Sequence, residues 1–173
     1  MIFDIFYPKI CSDSVFDVDY NRLLSAGIKL IAFDVDNTLA PFNIAYPPDN
    51  IVRLIQKLKT MFHVCLISNN KGDRVHKFNE KLGLFVIADA KKPKTDALCH
   101  ALRRFNVQSQ EAALIGDQLF TDMCCANLSG ATSVLVKPIV KIEEPWVMLK
   151  RPFEKLVFLG YIWKRKKGAD SKN

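Results

Sequence analysis

The sequence predicts an α/β protein with a mostly parallel β-sheet that is covered by helices on both faces. Short apolar runs rich in β-branched and aromatic residues alternate with segments in which apolar residues recur at helical spacing. This alternation is typical of parallel sheets, because the connections between parallel strands are usually helices. Polar residues follow each apolar run, and open α/β sheets place their functional residues at such strand ends.

Four apolar runs are predicted to be strands of this sheet. They cover residues 28–33, 62–67, 84–88 and 112–115. The polar residues that follow them are, in chain order, Asp34 and Asp36, then Ser68 and Asn69, then Lys92, and finally Asp117. Because parallel strands bring their carboxyl ends to one edge of a sheet, we expect these side chains to meet there.

Helices are predicted between the strands. Asp49 can cap a helix with an i, i+3, i+4, i+7 apolar stripe. Asp73 begins a second helix, which Gly83 ends. Thr95 can cap a third helix, and a fourth is expected to begin just after Asp117.

The spacing of these segments leaves no room for a large lid domain. About thirty residues separate Leu39 from Ser68, and they already contain the Asp49 helix. The segment from Asn70 to Lys92 holds one helix and one strand. Residues 40–48 are therefore the only expected flap, and an open site favours a bulky substrate or one presented at a surface.

Asp34 and Asp36 are the most informative pair in the chain. Two carboxylates with one residue between them, just past a strand, point the same way. Like charges this close are costly unless a cation or a shared proton relieves them. The pair therefore suits metal-assisted phosphoryl transfer, although a strand-end turn with capping acids is the alternative explanation.

Four motifs, in order, resemble those of the haloacid dehalogenase (HAD) phosphatase superfamily. They are Asp-x-Asp-x-Thr from Asp34, a serine motif at Ser68, a lysine motif at Lys92, and an acidic Gly-Asp-x-x-x-x-Asp motif from Gly116 to Asp122. The resemblance extends over residues 28–136. It implies a Rossmann-like three-layer α/β/α sandwich, the HAD core, without a large cap domain.

Further stretches are similar to subclass IIIA proteins of the YqeG type. These stretches are Tyr7-Pro8, residues 14–19, Ser68-Asn69-Asn70, residues 90–93 and residues 115–122. That branch is similar to the phosphatidylglycerophosphate phosphatases of the same superfamily. The resemblance therefore implies a phosphomonoester on a phospholipid head group as substrate.

The acidic residues receive distinct roles on this basis. Asp34 is the expected nucleophile, which forms an aspartyl-phosphate, and Asp36 is the expected general acid. Mg²⁺ prefers hard oxygen ligands, which we expect from Asp34, the backbone carbonyl of Asp36, and Asp117. Asp122 is the remaining metal candidate, direct or through water, although an acid in the first turn of a helix is favourable in any case.

Three further motif residues are expected to handle the phosphate. Ser68 and the amide of Asn69 can donate hydrogen bonds to its oxygens, and Lys92 can offset its charge. Lys94 is the competing lysine, but the Lys-Pro pairing favours Lys92. Thr38 is expected to brace the turn after Asp36 through side-chain-to-backbone bonds.

Three functions are compared on these grounds. The favoured one is a Mg²⁺-dependent phosphomonoester hydrolase with phosphatidylglycerophosphate as substrate. An alternative keeps the chemistry but acts on a soluble metabolite, nucleotide or phosphoprotein, because reacting residues do not encode the leaving group. A non-catalytic module that binds RNA or acidic partners is disfavoured by the clustered carboxylates, and the sequence has no nucleic-acid-binding motif, so no specific nucleic acid partner is expected.

Composition indicates a globular intracellular protein. The chain of 173 residues can bury a core of its own, and its five cysteines show no Cys-x-x-Cys spacing. No run approaches the roughly 20 apolar residues that span a bilayer. Asp4 stands where a secretory signal would be positive, so we expect a cytoplasmic location, with peripheral contact at the inner face of the membrane.

The chain is expected to have three parts. Residues 1–27 are an N-terminal extension packing on the core, residues 28–145 are the phosphatase core, and residues 146–173 are a C-terminal apolar and basic helix with a disordered basic tail from Lys164. From Lys137 onward there are ten Lys or Arg against four Asp or Glu. The C-terminal helix either packs on the sheet or contacts an anionic membrane through aromatic residues beside this basic cluster.

Overall fold

The computed structural model describes residues 2–140 and 145–170 of the chain. Its strands are β1 (Ile10–Ser12), β2 (Leu30–Phe33), β3 (His63–Ile67), β4 (Phe85–Ile87), β5 (Ala112–Gly116) and β6 (Thr132–Val136). Its helices are α1 (Tyr20–Ser25), α2 (Asp49–Leu58), α3 (Gly72–Asn79), α4 (Asp96–Phe105), α5 (Cys124–Leu128) and α6 (Pro145–Asp170).

The six strands form one sheet in the order β1-β6-β5-β2-β3-β4, and every neighbouring pair is parallel. From β2 the chain adds β3 and β4 on one side and then crosses to β5 on the other. The strand order therefore reverses between β2 and β5, and a crevice at that point is where such sheets bind ligands.

Alternate residues of the central strands enter two separate cores. Ile31 and Phe33 of β2 pack on one face of the sheet, with α2 and α3. Leu30 and Ala32 pack on the other face, with α4 and α5. All four residues of β2 are fully buried, which explains the continuous apolar run and confirms the predicted α/β sandwich.

Two predicted helix signals differ from the structure. Asp49 is the first residue of α2 and not its cap, because Pro48 occupies the cap position and no side chain caps the helix. The second helix ends at Asn79 and not at Gly83: residues 80–82 form a turn, in which the amides of Leu82 and Gly83 both donate to the carbonyl of Asn79.

The N-terminal segment contributes a strand to the sheet. Ile10–Ser12 pair with β6 at the sheet edge, and the backbone of Lys9 donates to the carbonyl of Ser133 at 3.1 Å. The sequence analysis treated this segment as an extension because three residues are too few for a period-two pattern to be recognised.

Helix α6 continues through the residues expected to be disordered. It extends to Asp170, past the predicted start of the tail at Lys164, because Lys and Arg are good helix formers; residues 171–173 lie outside the described part. No helix in the described part of the chain is both long and apolar enough to cross a bilayer.

Candidate active site

The ends of β2 and β5 bring two acids together at the point where the strand order reverses. Asp34 follows β2, and its backbone amide donates to the carbonyl of Ile115 in β5 at 2.9 Å. Asp117 follows β5 directly. Both side chains are buried, as sequence reasoning placed them.

Three carboxylates form a compact cluster at this edge. Asp34, Asp117 and Asp122 each offer an oxygen within 4.8 Å of the others, and all three are buried. Carboxylate oxygens are the ligands that Mg²⁺ prefers, so the donor set fits a hard divalent cation. The side chain of Asp36 does not belong to this cluster, which leaves its backbone carbonyl as the candidate ligand.

Lys92 neutralises part of this acidic cluster. Its Nζ lies 2.7 Å from Asp34 Oδ1 and 2.6 Å from Asp122 Oδ1, and it donates to the carbonyl of Ile67 at 2.7 Å. Burial alone would lower the pKa of this amine, but the two carboxylates raise it above its ordinary value. Lys94 is exposed, so Lys92 is the lysine of the site.

The environment of Asp34 opposes its negative charge. Its pKa is raised to about 7: burial is the main cause, the neighbouring carboxylates of Asp122 and Asp36 add to the rise, and Lys92 opposes it. A cation bound among the acids would favour the ionised form by the same electrostatic logic.

Asp122 approaches the cluster because Gly116 has no side chain. A Cβ at position 116 would lie 2.6 Å from the Cβ of Asp122 and closer still to its carboxyl group. A π-helical turn, Leu119–Met123, carries Asp122, whose Oδ2 accepts from the amide of Gln118 at 3.1 Å. Asp122, which has the weakest support from sequence among the motif acids, is thus a full member of the carboxylate cluster.

Asp117 is held by two side chains from distant parts of the chain. The hydroxyl of Thr38 donates to Asp117 Oδ1 at 3.3 Å. The sequence analysis expected Thr38 to bond the backbone after Asp36, and its side chain instead reaches across to Asp117. Arg151 forms an ion pair with Asp117 Oδ2 and donates to its backbone carbonyl at 2.9 Å. Burial raises the pKa of Asp117, and the charge of Arg151 opposes that rise.

Arg151 belongs to an arginine–glutamate pair that docks α6 on the fourth motif. Its Nη1 donates to Glu154 Oε2 at 2.9 Å, and Glu154 Oε1 accepts from the amide of Phe120 at 3.0 Å. Glu154 is buried, and burial raises its pKa. Sequence reasoning missed both residues, although an acid within an apolar segment, three residues after an arginine, is a recognisable signal for a buried pair.

The serine motif supports the lysine motif. Ser68 is buried, and its hydroxyl accepts from the amide of Asn70 at 3.1 Å. The side chain of Asn69 bonds the backbone of Lys92 in both directions, accepting at 2.7 Å and donating at 3.0 Å. Asn69 therefore uses its side chain to hold Lys92, and its backbone amide remains the candidate phosphate donor.

Asp36 points to a different set of partners. Its Oδ1 accepts from Arg74 Nε at 2.9 Å and from Nη2 at 2.5 Å, and its Oδ2 accepts from Asn70 Nδ2 at 3.0 Å. Sequence reasoning missed Arg74 and Asn70. Their spacing of four residues at the start of a predicted helix was the available signal.

Two clefts lie at opposite ends of the parallel strands. One of about 750 Å³ adjoins the acidic cluster, and its lining includes Asp117, Arg151 and Phe158. A larger one of about 940 Å³ is lined by Lys29 and Glu111, at the amino ends of β2 and β5, and holds none of the site residues. Of the three clustered carboxylates, Asp117 lines the smaller cleft.

Comparisons with known proteins agree with this geometry. The family model described as "Mitochondrial PGP phosphatase" matches residues 4–141. The "Probable phosphatase YqeG" of Bacillus subtilis is 29% identical over 144 residues, which cover 83% of this chain and 84% of that protein. The mitochondrial phosphatidylglycerophosphatase GEP4 of Saccharomyces cerevisiae is 27% identical, with 80% and 84% covered. A plastid and mitochondrial phosphatidylglycerophosphate phosphatase of Arabidopsis thaliana is 28% identical over 153 residues, which span 43% of its length.

Solved structures share the fold at low sequence identity. A 2-haloacid dehalogenase from Pseudomonas syringae matches with a TM-score of 0.51 at 17% identity, covering 68% of this chain and 90% of that one. The cobalt-bound deoxy-D-mannose-octulosonate 8-phosphate phosphatase of Haemophilus influenzae matches with a TM-score of 0.52 at 18% identity, covering 66% and 70%. The fold is that of the HAD hydrolases.

Proposed function

Because this chain belongs to the mitochondrial PGP phosphatase family, we propose that it is a Mg²⁺-dependent HAD phosphatase that hydrolyses phosphatidylglycerophosphate through an aspartyl-phosphate on Asp34. One observation carries the mechanism: Asp34 lies in a buried cluster with two further carboxylates and the ammonium of Lys92. Such a cluster concentrates charge where phosphoryl transfer needs positioning and electrostatic stabilisation.

The carboxylates of Asp34, Asp117 and Asp122, together with the backbone carbonyl of Asp36, would hold the metal ion. Bound Mg²⁺ would supply positive charge that keeps Asp34 ionised and neutralises phosphate oxygens. Thr38 and Arg151 hold Asp117 in place within this ligand set.

In the first step, an Asp34 carboxylate oxygen attacks phosphorus while the bond from phosphorus to the leaving alcohol oxygen breaks. Asp36 gives its proton to that alcohol oxygen. In the second step, Asp36 removes a proton from water, which attacks phosphorus and releases phosphate from Asp34. Ser68, the amide of Asn69 and Lys92 hold the phosphate oxygens during both steps.

A lipid substrate is supported by the names of two related phosphatases and by the open site. Between Leu39 and Ser68 the chain forms loop 40–48, α2 and β3, with no inserted domain in this described stretch. A bulky leaving group would therefore meet no inserted lid between Leu39 and Ser68. A soluble metabolite, nucleotide or phosphoprotein substrate is the alternative that a substrate panel would detect.

Helix α6 supplies a surface suited to a membrane that carries this lipid. On its outer side lie four apolar residues that are 56% to 69% exposed: Phe153, Leu156, Leu159 and Trp163. Glu154 and Tyr161 on its inner side are buried. Lys155 and Lys164 flank the apolar row, and basic residues beside exposed aromatics favour anionic lipid. A cytoplasmic, peripheral location remains a prediction.

The function is tested with purified protein and a panel of phosphomonoesters that includes phosphatidylglycerophosphate, with Mg²⁺ or chelator. We expect Mg²⁺-dependent phosphate release that is abolished in Asp34→Asn and retained in Asp49→Asn, a matched change at an exposed acid. Turnover that persists in Asp34→Asn would refute the nucleophile. Activity confined to soluble esters would refute the lipid substrate.

Membrane contact is tested separately with a Phe153→Ser, Leu156→Ser double variant, which keeps Arg151 and Glu154 in place. We expect weaker binding to anionic vesicles and unchanged hydrolysis of p-nitrophenyl phosphate. Leu128→Ser, at a position of α5 that is 54% exposed, serves as the control. Unchanged partitioning of the double variant would reject the contact.

A further inference from the structure

Arg74 of α3 joins the proposed general acid to the flap. Its guanidinium donates to Asp36 Oδ1 from Nε at 2.9 Å and from Nη2 at 2.5 Å. The same group donates to the carbonyl of Pro41 at 3.1 Å and to the carbonyl of Ile44. One side chain thus contacts both the carboxylate and two carbonyls of loop 40–48.

The carboxylate of Asp36 is oriented from two sides. Arg74 fixes Oδ1 with two N–H donors, and Asn70 Nδ2 donates to Oδ2 at 3.0 Å. A planar guanidinium with two donors on one carboxylate restricts its rotation more than a single ammonium would. A proton donor is effective only within hydrogen-bond reach of the atom that receives the proton, so orientation of this carboxylate bears on rate.

Loop 40–48 is contacted by the same guanidinium, beside other anchors: Pro47 is buried, and Lys81 Nζ lies 5.8 Å from the centre of the Tyr46 ring. The loop has no helix, and Ile44 and Tyr46 are exposed. Its internal backbone bond joins the amide of Ile44 to the carbonyl of Pro41 at 3.0 Å, and Arg74 contacts both of these residues. Arg74 therefore holds the flap beside Asp36.

We infer that Arg74 is a positioning residue that aims the Asp36 carboxyl group at the leaving-group oxygen and fixes loop 40–48 next to it. The inference rests on the proposed function. It adds a residue of α3 to the set that determines how well poor leaving groups are expelled. Aliphatic alcohols, including the glycerol of a phospholipid head group, are poor leaving groups that need protonation.

The test compares two substrates in the Mg²⁺-loaded, full-length protein. For glycerol 3-phosphate, whose alkoxide must be protonated, kcat/KM is expected to fall about 100-fold in Arg74→Ala, the lower end of the general-acid contribution. For p-nitrophenyl phosphate, whose phenolate leaves without a proton, we expect less than about a threefold fall. The value of kcat/KM reports only the steps up to phosphoryl transfer onto Asp34. The later step, in which Asp36 removes a proton from water, therefore does not affect the comparison.

Controls separate positioning from folding. Arg74→Lys, which keeps the charge and loses the two-donor geometry, is expected to show the same selective loss, and the exposed Arg103→Ala none. In an Asp36→Asn background, Arg74→Ala is expected to add no further selectivity. Amide hydrogen exchange in loop 40–48 is expected to rise in Arg74→Ala and not in Arg103→Ala.

Equal loss for both substrates, or no loss for either, would overturn the inference for Arg74. Neither result would bear on the assignment of Asp34 as nucleophile, which is tested by Asp34→Asn. A wild-type protein without turnover on any ester would instead refute the proposed function, so the two failures are distinguishable.

Discussion

The two acids of the first motif lie only two positions apart and occupy opposite environments. Asp34 is 7% exposed at its side chain and shares an enclosed cluster with Lys92. The Asp36 side chain is 23% exposed and pairs with Arg74, which is 17% exposed. The inner region, formed by Asp34, Asp117, Asp122 and Lys92, holds a fixed set of charges away from water. The outer region, formed by Asp36 and Arg74, gives its acid access to a leaving group and solvent. These different surroundings suit the two proposed roles, nucleophile for Asp34 and proton donor for Asp36.

Removal of the buried ammonium should break the inner region most severely. Lys92→Met leaves Asp34 and Asp122 without their cation, and breaking a buried ion pair costs about 3–5 kcal/mol of unfolding free energy. We expect kcat/KM to fall about 100- to 1000-fold, the scale of a lost electrostatic donor. Urea unfolding and steady-state kinetics measure both effects. Lys91→Met, at an exposed neighbour, is expected to stay within about 0.5 kcal/mol of the parent; similar losses in both variants would contradict this account of Lys92.

A single methyl group should distort the inner region without changing its charge. Gly116→Ala places a Cβ inside the space of Asp122, and overpacking of this kind costs about 1–3 kcal/mol. We expect lower stability together with weaker Mg²⁺ binding in a thermal-shift titration. The matched change Gly72→Ala, whose nearest contact would be 3.4 Å from a His76 ring atom, is expected to be nearly neutral. A Gly116→Ala protein with parental Mg²⁺ affinity would disprove the close fit.

Protons should compete with Mg²⁺ in the inner region. Burial raises the pKa of Asp34 to about 7, so its carboxyl group is mostly ionised at pH 8 and mostly protonated at pH 6. Below pH 7 the cation must displace that proton, and its apparent affinity should fall by up to about tenfold per pH unit. Calorimetric titrations at pH 6, 7 and 8 measure this. The dependence of Mg²⁺ affinity on pH should become weaker in Asp34→Asn. An unchanged dependence in that variant would assign the competing proton to another group.

The smallest effect is expected where α6 meets the inner region. Glu154→Gln keeps the shape of the side chain and can still accept from the amide of Phe120, so only the charge that pairs with Arg151 is removed and we expect a loss of about 1 kcal/mol, the net value of one hydrogen bond. Chemical denaturation measures it, with the exposed Glu80→Gln as control. A neutral Glu154→Gln would show that the helix is docked by its apolar contacts alone.

Sequence patterns predicted the inner region well and the outer region poorly. The acids and Lys92 follow long buried strands, and those apolar runs are visible without knowledge of the fold. Arg74 and Arg151 act on residues 38 and 34 positions away, so no local periodicity reports their contacts. The strands β1 and β6 were missed for related reasons, since β1 has three residues and β6 is only partly buried. The sequence predicts a role only for the backbone amide of Asn69, whereas its side chain bonds the backbone of Lys92, a contact 23 residues away that no local pattern reports.

The edge pairing of β1 with β6 also sets an order for assembly. The backbone of Lys9 bonds Ser133, 124 residues further along the chain, so the loop that this pairing closes is among the longest in the molecule. Contacts between residues so far apart in sequence form late, because the entropy lost on closing the long loop must be overcome before the contact stabilises the fold. During synthesis β1 leaves the ribosome before the other strands of this sheet and cannot pair until β6 has emerged. Until then its backbone N–H and C=O groups lack their partner strand and are open to pairing with another chain.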